Sequence, residues 1–257
     1  GVVGKGQLIS YHPRTDSSTE LHHAPWLDFN MIQSGHSPES TNYTAIERDY
    51  ALLPIKPCMD SEPAYEYPPD AMPENRPVGA IQVRRNAYWA VFAGAHGHTY
   101  GTHPIWQMYD EEHKPRWDVV TPWHQSMDLP GASQLPYLKQ LMLSRPFLTR
   151  IPDQTIIASK NPDGLARIQA TRDGQPGARD ATYLMVYFPK HLTASIRTDL
   201  IGGDTLAGWW FNLRTGESAS IGAWAKTDVY ETTPPSNVEG EDWVLVIDDE
   251  TKGYSAP

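Results

Sequence analysis

The segment Lys56-Pro57-Cys58-Met59-Asp60-Ser61-Glu62-Pro63-Ala64-Tyr65-Glu66 places three carboxylates and a phenol directly behind an apolar run. Carboxylates in such a setting can attack carbon or carry protons as general acid and base. In a parallel α/β barrel the C-terminal ends of the strands open into the active-site mouth, so an acid just past a strand is placed to do chemistry. Glu62 has that position, although the same spacing is met by a loop that Asp60, Glu62 and Glu66 merely cap and solvate. Other apolar runs end in a similar mixture: His12 and Arg14 after the first, Asn30, Gln33 and His36 after Trp26, His98 and Tyr100 after another, with Trp106 close behind. Amides, imidazoles, phenols and indoles are what a sugar requires, because hydroxyls take paired hydrogen bonds and the C–H face of the ring packs on an aromatic plane. Strand residues two apart share a face, which puts Asp60 with Glu62 and Asp28 with Asn30. Asp28 and Asp60 could equally be anchors inside the fold.

The elements that must position these groups fall into two textures. Up to about residue 148, short apolar runs alternate with stretches of helical period, the pattern of βα units. The expected strands are Gln7 to His12, Trp26 to Gln33, Ile55 to Glu62 and Ala90 to Tyr100. Expected helical stripes are Tyr43, Ile46, Tyr50 and Leu53 after an N-cap at Ser40 or Thr41, then Val78, Ile81, Tyr88 and Phe92, then Leu135, Leu138, Leu141 and Met142. Beyond Arg145-Pro146 and Ile151-Pro152 the chain reads as about seven short strands: Thr155 to Ser159, Ala166 to Thr171, Tyr183 to Phe188, Ala194 to Thr198, Ala207 to Leu213, Ser218 to Trp224 and Trp243 to Asp248. Turn signals at Asp173-Gly174 and Thr215-Gly216 separate them. Seven strands in that length imply a β-sandwich, so the expected domains are residues 1–148 and 149–257.

Composition narrows the function classes. A formal net charge of −10 without a basic cluster argues against nucleic-acid partners, whose phosphates are bound by grouped Lys and Arg. One cysteine, Cys58, excludes an internal disulfide or a multi-thiolate zinc site. The histidines at 22, 23, 36, 96, 98 and 103 form no His-Glu-x-x-His helix and have no compact carboxylate set, so no metal or other cofactor is expected. No apolar stretch of about 18 residues predicts a membrane span, and Gly1 to Gly6 has neither the charged head nor the apolar core of a signal peptide. Nine Trp and thirteen Tyr against five Phe favour rings with a polar edge at a wet site.

Longer motifs carry a family resemblance. Ser10-Tyr11-His12-Pro13-Arg14, Ala24-Pro25-Trp26-Leu27-Asp28-Phe29-Asn30-Met31-Ile32-Gln33-Ser34-Gly35-His36, Asp60 to Glu66, Val83-Arg84-Arg85-Asn86-Ala87-Tyr88-Trp89 and Gly97-His98-Thr99-Tyr100-Gly101 resemble, in this order, the apiosidase-like glycoside hydrolases. Leu141-Met142-Leu143 and Ile151-Pro152-Asp153-Gln154 continue the likeness into a C-terminal part similar to a domain often labelled collagen-binding.

The resemblance implies an α/β fold: the C-terminal half of a (β/α)8 TIM barrel, strands five to eight, followed by an all-β sandwich. It implies a glycosidase acting on plant or microbial polysaccharide by a retaining, two-carboxylate mechanism, with Glu62 as the nucleophile at the end of strand seven. The acid/base Asp belongs at the end of strand four, which backward counting places upstream of Gly1, so barrel and machinery are expected to be incomplete here. The missing N-terminal half would come from the same or a separate polypeptide. Expected substrate contacts are His12, Trp26, Asn30, Gln33, His36, Asp60, Tyr65, His98, Tyr100 and Trp106. An extracellular or periplasmic setting also follows from the family alone. Two alternatives stay open: a non-catalytic carbohydrate- or collagen-binding protein, in which Trp209, Trp210 and Trp224 would form a ligand platform rather than core, and an inactive fragment.

Overall fold

The structure is a computed structural model that describes residues 6–75 and 77–257. The chain divides into two compact units, the first ending at Met127 and the second running Asp128–Pro257. The first is α/β with a parallel sheet, the second is built on antiparallel sheets. No helix among the described residues is long and apolar enough to cross a membrane.

In the first unit, strands β1 (Asn30–Ile32), β2 (Cys58–Asp60) and β3 (Gly97–His98) form a parallel sheet in that order. Helix α1 (Ser18–Leu21) precedes β1, α2 (Tyr43–Tyr50) links β1 to β2, α3 (Ala80–Phe92) links β2 to β3, and α4 (His103–Trp106) follows. Parallel neighbours need such crossovers, because a tight turn cannot return the chain to the same end of the sheet. The register pairs Ile32 with Asp60 and Asp60 with His98, so the strand ends lie side by side.

Two expected strands are corrected here. Gln7 to His12 forms no strand, although Ile9 donates its N–H to Asp28 Oδ2 (2.7 Å), accepts from Asp28 N–H (2.8 Å), and Ser10 Oγ–H donates to the Phe29 carbonyl (2.6 Å). The segment thus runs beside the approach to β1 without a ladder. The stretch expected from Ala90 begins inside α3, and only Gly97–His98 is strand. Its run Ala90 to Ala95 is apolar because α3 is buried over ten consecutive residues, and a helix buried on all sides has no stripe to distinguish it from a core strand. In α2 the cap position is Asn42, whose side chain donates to Asp60 Oδ2 (2.7 Å) and the Asn86 carbonyl (2.8 Å) instead of capping the helix.

The second unit opens with α5 (Pro130–Leu143) and continues with β4 (Ile151–Pro152), β5 (Gln169–Arg172), β6 (Tyr183–Phe188), β7 (Ala194–Arg197), β8 (Thr205–Asn212), β9 (Ser218–Ala225), β10 (Val229–Thr232) and β11 (Trp243–Asp249). Six strands pair in the order β4-β5-β6-β11-β8-β9, and β7 with β10 makes a separate two-stranded sheet. Leu184, Val186 and Phe188 alternate along β6 into one core with Leu245 and Ile247 of β11, Leu206 and Trp210 of β8, and Ile196 of β7. Six expected strands have their counterparts here. Thr155 to Ser159 does not, because Asp153 caps a 3-10 turn at Gln154–Ile156 by accepting from Thr155 N–H, leaving Ile157 a single bridge to Ile196. Helix α5 groups with these sheets: the Gln140 amide donates to the Gly216 carbonyl (3.0 Å), and Arg145 just beyond it makes a two-point pair with Asp248 at 2.8 and 2.6 Å.

Candidate active site

Glu62 lies two residues past β2, and its backbone is fixed from both neighbouring strands. Ser61 N–H donates to the Ile32 carbonyl (2.8 Å) on the β1 side, and Thr99 Oγ1 donates to the Ser61 carbonyl (2.6 Å) on the β3 side. The chain then stays beside 99–102, with Glu66 N–H bonded to the Gly101 carbonyl (3.0 Å). Gly101 is required there, since a Cβ would collide with the Tyr65 ring.

The Glu62 carboxylate is held at both oxygens. His12 Nε2 is 2.7 Å from Oε2 and His36 Nε2 is 3.1 Å from Oε1. His36 reaches it from the loop after β1, where Gly35 takes φ +90°, a conformation that a Cβ would strain. The loop is tied down by Gln33 N–H to the Thr15 carbonyl (2.6 Å) and Ser34 Oγ to Asp60 Oδ2 (2.7 Å).

Around this group is a cavity of about 380 Å³ lined by Arg14, Gln33, His36, Glu62, Tyr65, His103, Trp106 and Trp117. The volume falls within the range of about 300–1,000 Å³ usual for small-molecule pockets. Rings make a continuous wall: Tyr65 meets His36 edge-on at 4.7 Å and His103 at 5.0 Å, while His103 stacks toward Trp117 at 6.3 Å. Burial, with the Glu62 charge adding to it, pushes the Tyr65 phenol above its ordinary value, so this residue enters as a neutral hydroxyl. Trp117 sits at φ +61° and Asp118 at +57°, a left-handed step uncommon for such side chains and a source of local strain. The Gln107 amide pins the residue before it, accepting from Arg116 N–H (2.8 Å) and donating to its carbonyl (3.1 Å).

The expected site residues separate into two groups. Glu62, Gln33, His36, Tyr65 and Trp106 line the cavity, and His12 joins through its contact with Glu62. Trp26 is exposed but does not line it. Asn30 is fully buried, its Nδ2 3.1 Å from His22 Nδ1. Asp60 is also fully buried, accepting from Ser34 and Asn42, and burial pushes its carboxyl up despite those two hydrogen bonds. It anchors the loop of His36 to α2 and has no surface for a ligand. Both ring nitrogens of His98 are buried without a hydrogen-bond partner among the described residues, and burial lowers its pKa to about 3, so the ring is neutral. Tyr100 gives its hydroxyl to Glu66 Oε2 (2.8 Å). Asn30 and Asp60 are thus sealed from solvent, and Trp26, His98 and Tyr100 lie outside the lining of this cavity. His103 and Trp117, absent from that expected set, line the cavity from a short helix and a strained loop. Neither position carries a strand-end signal; only the Pro104-initiated turn beside Trp106 could have marked His103.

Residues 2–149 match the family model described as apiosidase-like, catalytic domain, and residues 151–248 match "Putative collagen-binding domain of a collagenase". A solved glycoside hydrolase superposes with a TM-score of 0.89 at 36% identity, covering 98% of this chain and 59% of its own. A glycoside hydrolase family 5 structure from Bacteroides vulgatus ATCC 8482 gives 0.88 at 33% identity, covering 98% of this chain and 57% of its own. The chain thus spans a little under three fifths of these relatives. No curated protein matches. With more than half of its length matched by one family model, this chain belongs to the apiosidase-like glycoside hydrolase family.

Proposed function

We propose that this chain carries the nucleophile side of a retaining glycosidase acting on oligo- or polysaccharide, with Glu62 as the nucleophile. The observation that carries the reading is the Glu62 carboxylate, placed just past β2, gripped at both oxygens and facing a cavity walled by rings. In the first step one Glu62 oxygen attacks the anomeric carbon while the bond to the leaving oxygen breaks and a carboxylic acid gives that oxygen its proton. In the second, the resulting carboxylate takes a proton from water, the hydroxide oxygen bonds to the anomeric carbon, and Glu62 leaves as carboxylate. Gln33 supplies an amide for sugar hydroxyls, and Trp106 and Trp117 supply faces for the ring.

Such a mechanism needs a second carboxyl about 5–5.5 Å from the first. Among the described residues Glu62 is the one carboxylate lining the cavity. The family resemblance assigns the partner to an Asp at the end of a fourth barrel strand, preceding the residues read here as strands five to eight. On this reading β1, β2 and β3 are strands six to eight, the segment of His12 stands at strand five, and the second unit is the accessory sandwich. The whole would work outside the cytoplasm, where polysaccharide is met.

The test is to incubate the full-length protein with a panel of soluble plant and microbial polysaccharides, follow reducing-end release, and quench in acid for peptide mass analysis. The expected result is turnover that Glu62→Gln lowers by about 10³-fold or more with an unchanged near-ultraviolet spectrum, and a sugar ester on the peptide holding Glu62. An ester elsewhere, or Glu62→Gln activity within a few-fold of the parent, would overturn the assignment. Saccharide binding without turnover in the parent would favour the non-catalytic alternative.

A further inference from the structure

Trp106 and Trp117 both line the cavity of Glu62, each about half exposed, and both are set against the ring of His103. His103 itself is buried, with the Tyr65 and Tyr67 ring centroids 5.0 and 5.1 Å away. Trp106 follows it by one turn of α4 and meets it edge-on, at 6.5 Å and 89°. Trp117 reaches it from the loop and lies close to parallel, at 6.3 Å and 25°. One indole is thus perpendicular to His103 and the other nearly parallel to it, so the two indole planes are steeply inclined to each other. Together they make a corner, where coplanar rings would make a floor.

The corner is braced on both sides. Thr102 Oγ1 donates to the Glu66 carbonyl (2.6 Å) and Trp106 N–H to the Thr102 carbonyl (2.9 Å), which ties α4 to the segment that follows Glu62. The Tyr67 hydroxyl donates to the Trp117 carbonyl (3.3 Å), and the Gln107 amide holds Arg116 at both its N–H and its carbonyl. Levelling the two indoles would forfeit their contacts with a ring that is itself locked in place.

A sugar packs on an aromatic plane through the C–H face of its ring, so each indole selects the plane of the sugar that covers it. A β-1,4 ribbon of equatorially linked sugars keeps successive rings near one plane and can cover a single indole here. An axial linkage or a branch turns one sugar steeply against the next and can cover both. The corner stands close to the reacting group, because His103 packs beside His36 at 5.5 Å and His36 Nε2 is 3.1 Å from Glu62 Oε1.

We propose that Trp106 and Trp117 are two separate sugar subsites, and that the substrate is a saccharide turned by an axial linkage or a branch beside the scissile bond, in place of a flat β-1,4 ribbon. This deepens the reading of the cavity as a saccharide site and rests on it.

The test is binding of full-length Glu62→Gln protein to oligosaccharides in matched pairs, cellohexaose against maltohexaose and xylohexaose against its arabinose-branched counterpart, followed by a wider array of axially linked and branched saccharides. The tightest ligand should carry a turn. On it, Trp106→Ala and Trp117→Ala should each weaken binding roughly tenfold, with the two losses multiplying in the double variant as they do for independent sites. Trp106→Phe and Trp117→Phe, which keep a face in place, should restore most of the affinity. Trimming the ligand back to the turn should abolish the effect of one substitution and leave that of the other. A β-1,4 ribbon as the tightest ligand, or a loss from only one tryptophan on a turned ligand, would overturn the corner while leaving the assignment of Glu62 as it stands. An array that binds nothing would overturn the corner together with the saccharide reading.

Discussion

Tryptophan is used in opposite ways by the two units. In the first, Trp26, Trp106 and Trp117 are 45%, 53% and 51% exposed, and the latter two border the cavity of Glu62. In the second, no indole is among the exposed large side chains: Trp210 packs in the core against Phe188 at 5.5 Å, Trp224 stacks on Tyr230 at 4.9 Å, and Trp243 lies under the Arg214 guanidinium at 4.8 Å. Indole at a site trades packing energy for a face that a ligand can cover, while indole in a sheet core spends its whole area on neighbours. This favours core over platform for Trp210 and Trp224.

The second unit pairs its buried guanidinium groups with carboxylates. The buried guanidinium of Arg145 is matched in full by Asp248, and that of Arg172 by Asp153 (2.6 Å) together with the carbonyls of Asp173 and Gln175 (3.0 Å each). In the first unit the ring nitrogens of His98 and one carboxylate oxygen of Asp60 are buried without hydrogen-bond partners among the described residues, and in the second so are the indole nitrogens of Trp224 and Trp243. Hydrogen-bonding capacity left unused in a core is held at a cost that ordinary folding would remove.

The largest effect expected from this contrast is on the second unit. Arg145→Met strands a buried carboxylate whose pKa burial already raises above its ordinary value even with the guanidinium present, and should cost about 3–5 kcal/mol in urea unfolding. Combining it with Asp248→Leu should return most of that loss. No recovery in the double variant would mean that the pair is needed for more than neutralisation.

Next in size is a pair of truncations of one residue type. Trp210→Ala should destabilise by about 3–5 kcal/mol through the cavity it leaves. Trp117→Ala should cost under about 1 kcal/mol yet weaken saccharide binding roughly tenfold, as lost ring contact does. Calorimetric titration with the best polysaccharide fragment, alongside melting, distinguishes them. If Trp117→Ala melts early with binding intact, its strained loop is structural.

The smallest effect is the dependence of stability on pH, which has opposite signs at Asp60 and at Asp153. Asp60 is raised by burial, so it favours folding when protonated, and stability falls as pH climbs from the ordinary carboxylate value, about 3.9, through the raised one. Asp153 is also opposed by burial, but hydrogen bonds from Thr155 and Arg172 outweigh it and leave the carboxyl lowered. Its contribution is present above the ordinary value and disappears as pH drops toward the lowered one. Urea midpoints between pH 2.5 and 6 should lose the upper slope in Asp60→Asn and the lower slope in Asp153→Asn. Identical profiles for the two variants would contradict these opposite signs.

Much of this molecule was determined by residue order alone. Short apolar runs between turn signals fixed β6 and β11 nearly to the residue, both of them buried along almost their whole length, and the carboxylate past an apolar run marked Glu62 because strand ends are where a parallel sheet opens. The sequence could not tell the end of α3 from a strand, because burial on every side erases periodicity. Nor could it distribute the polar residues at the strand ends. His36 and Asp60 carry equal promise in the chain, yet one reaches the cavity and the other is sealed beneath it by Ser34 and Asn42. Which strand-end group meets a ligand depends on what packs over it, and here that is decided by loops arriving from 14 to 117, whose approach no local pattern encodes.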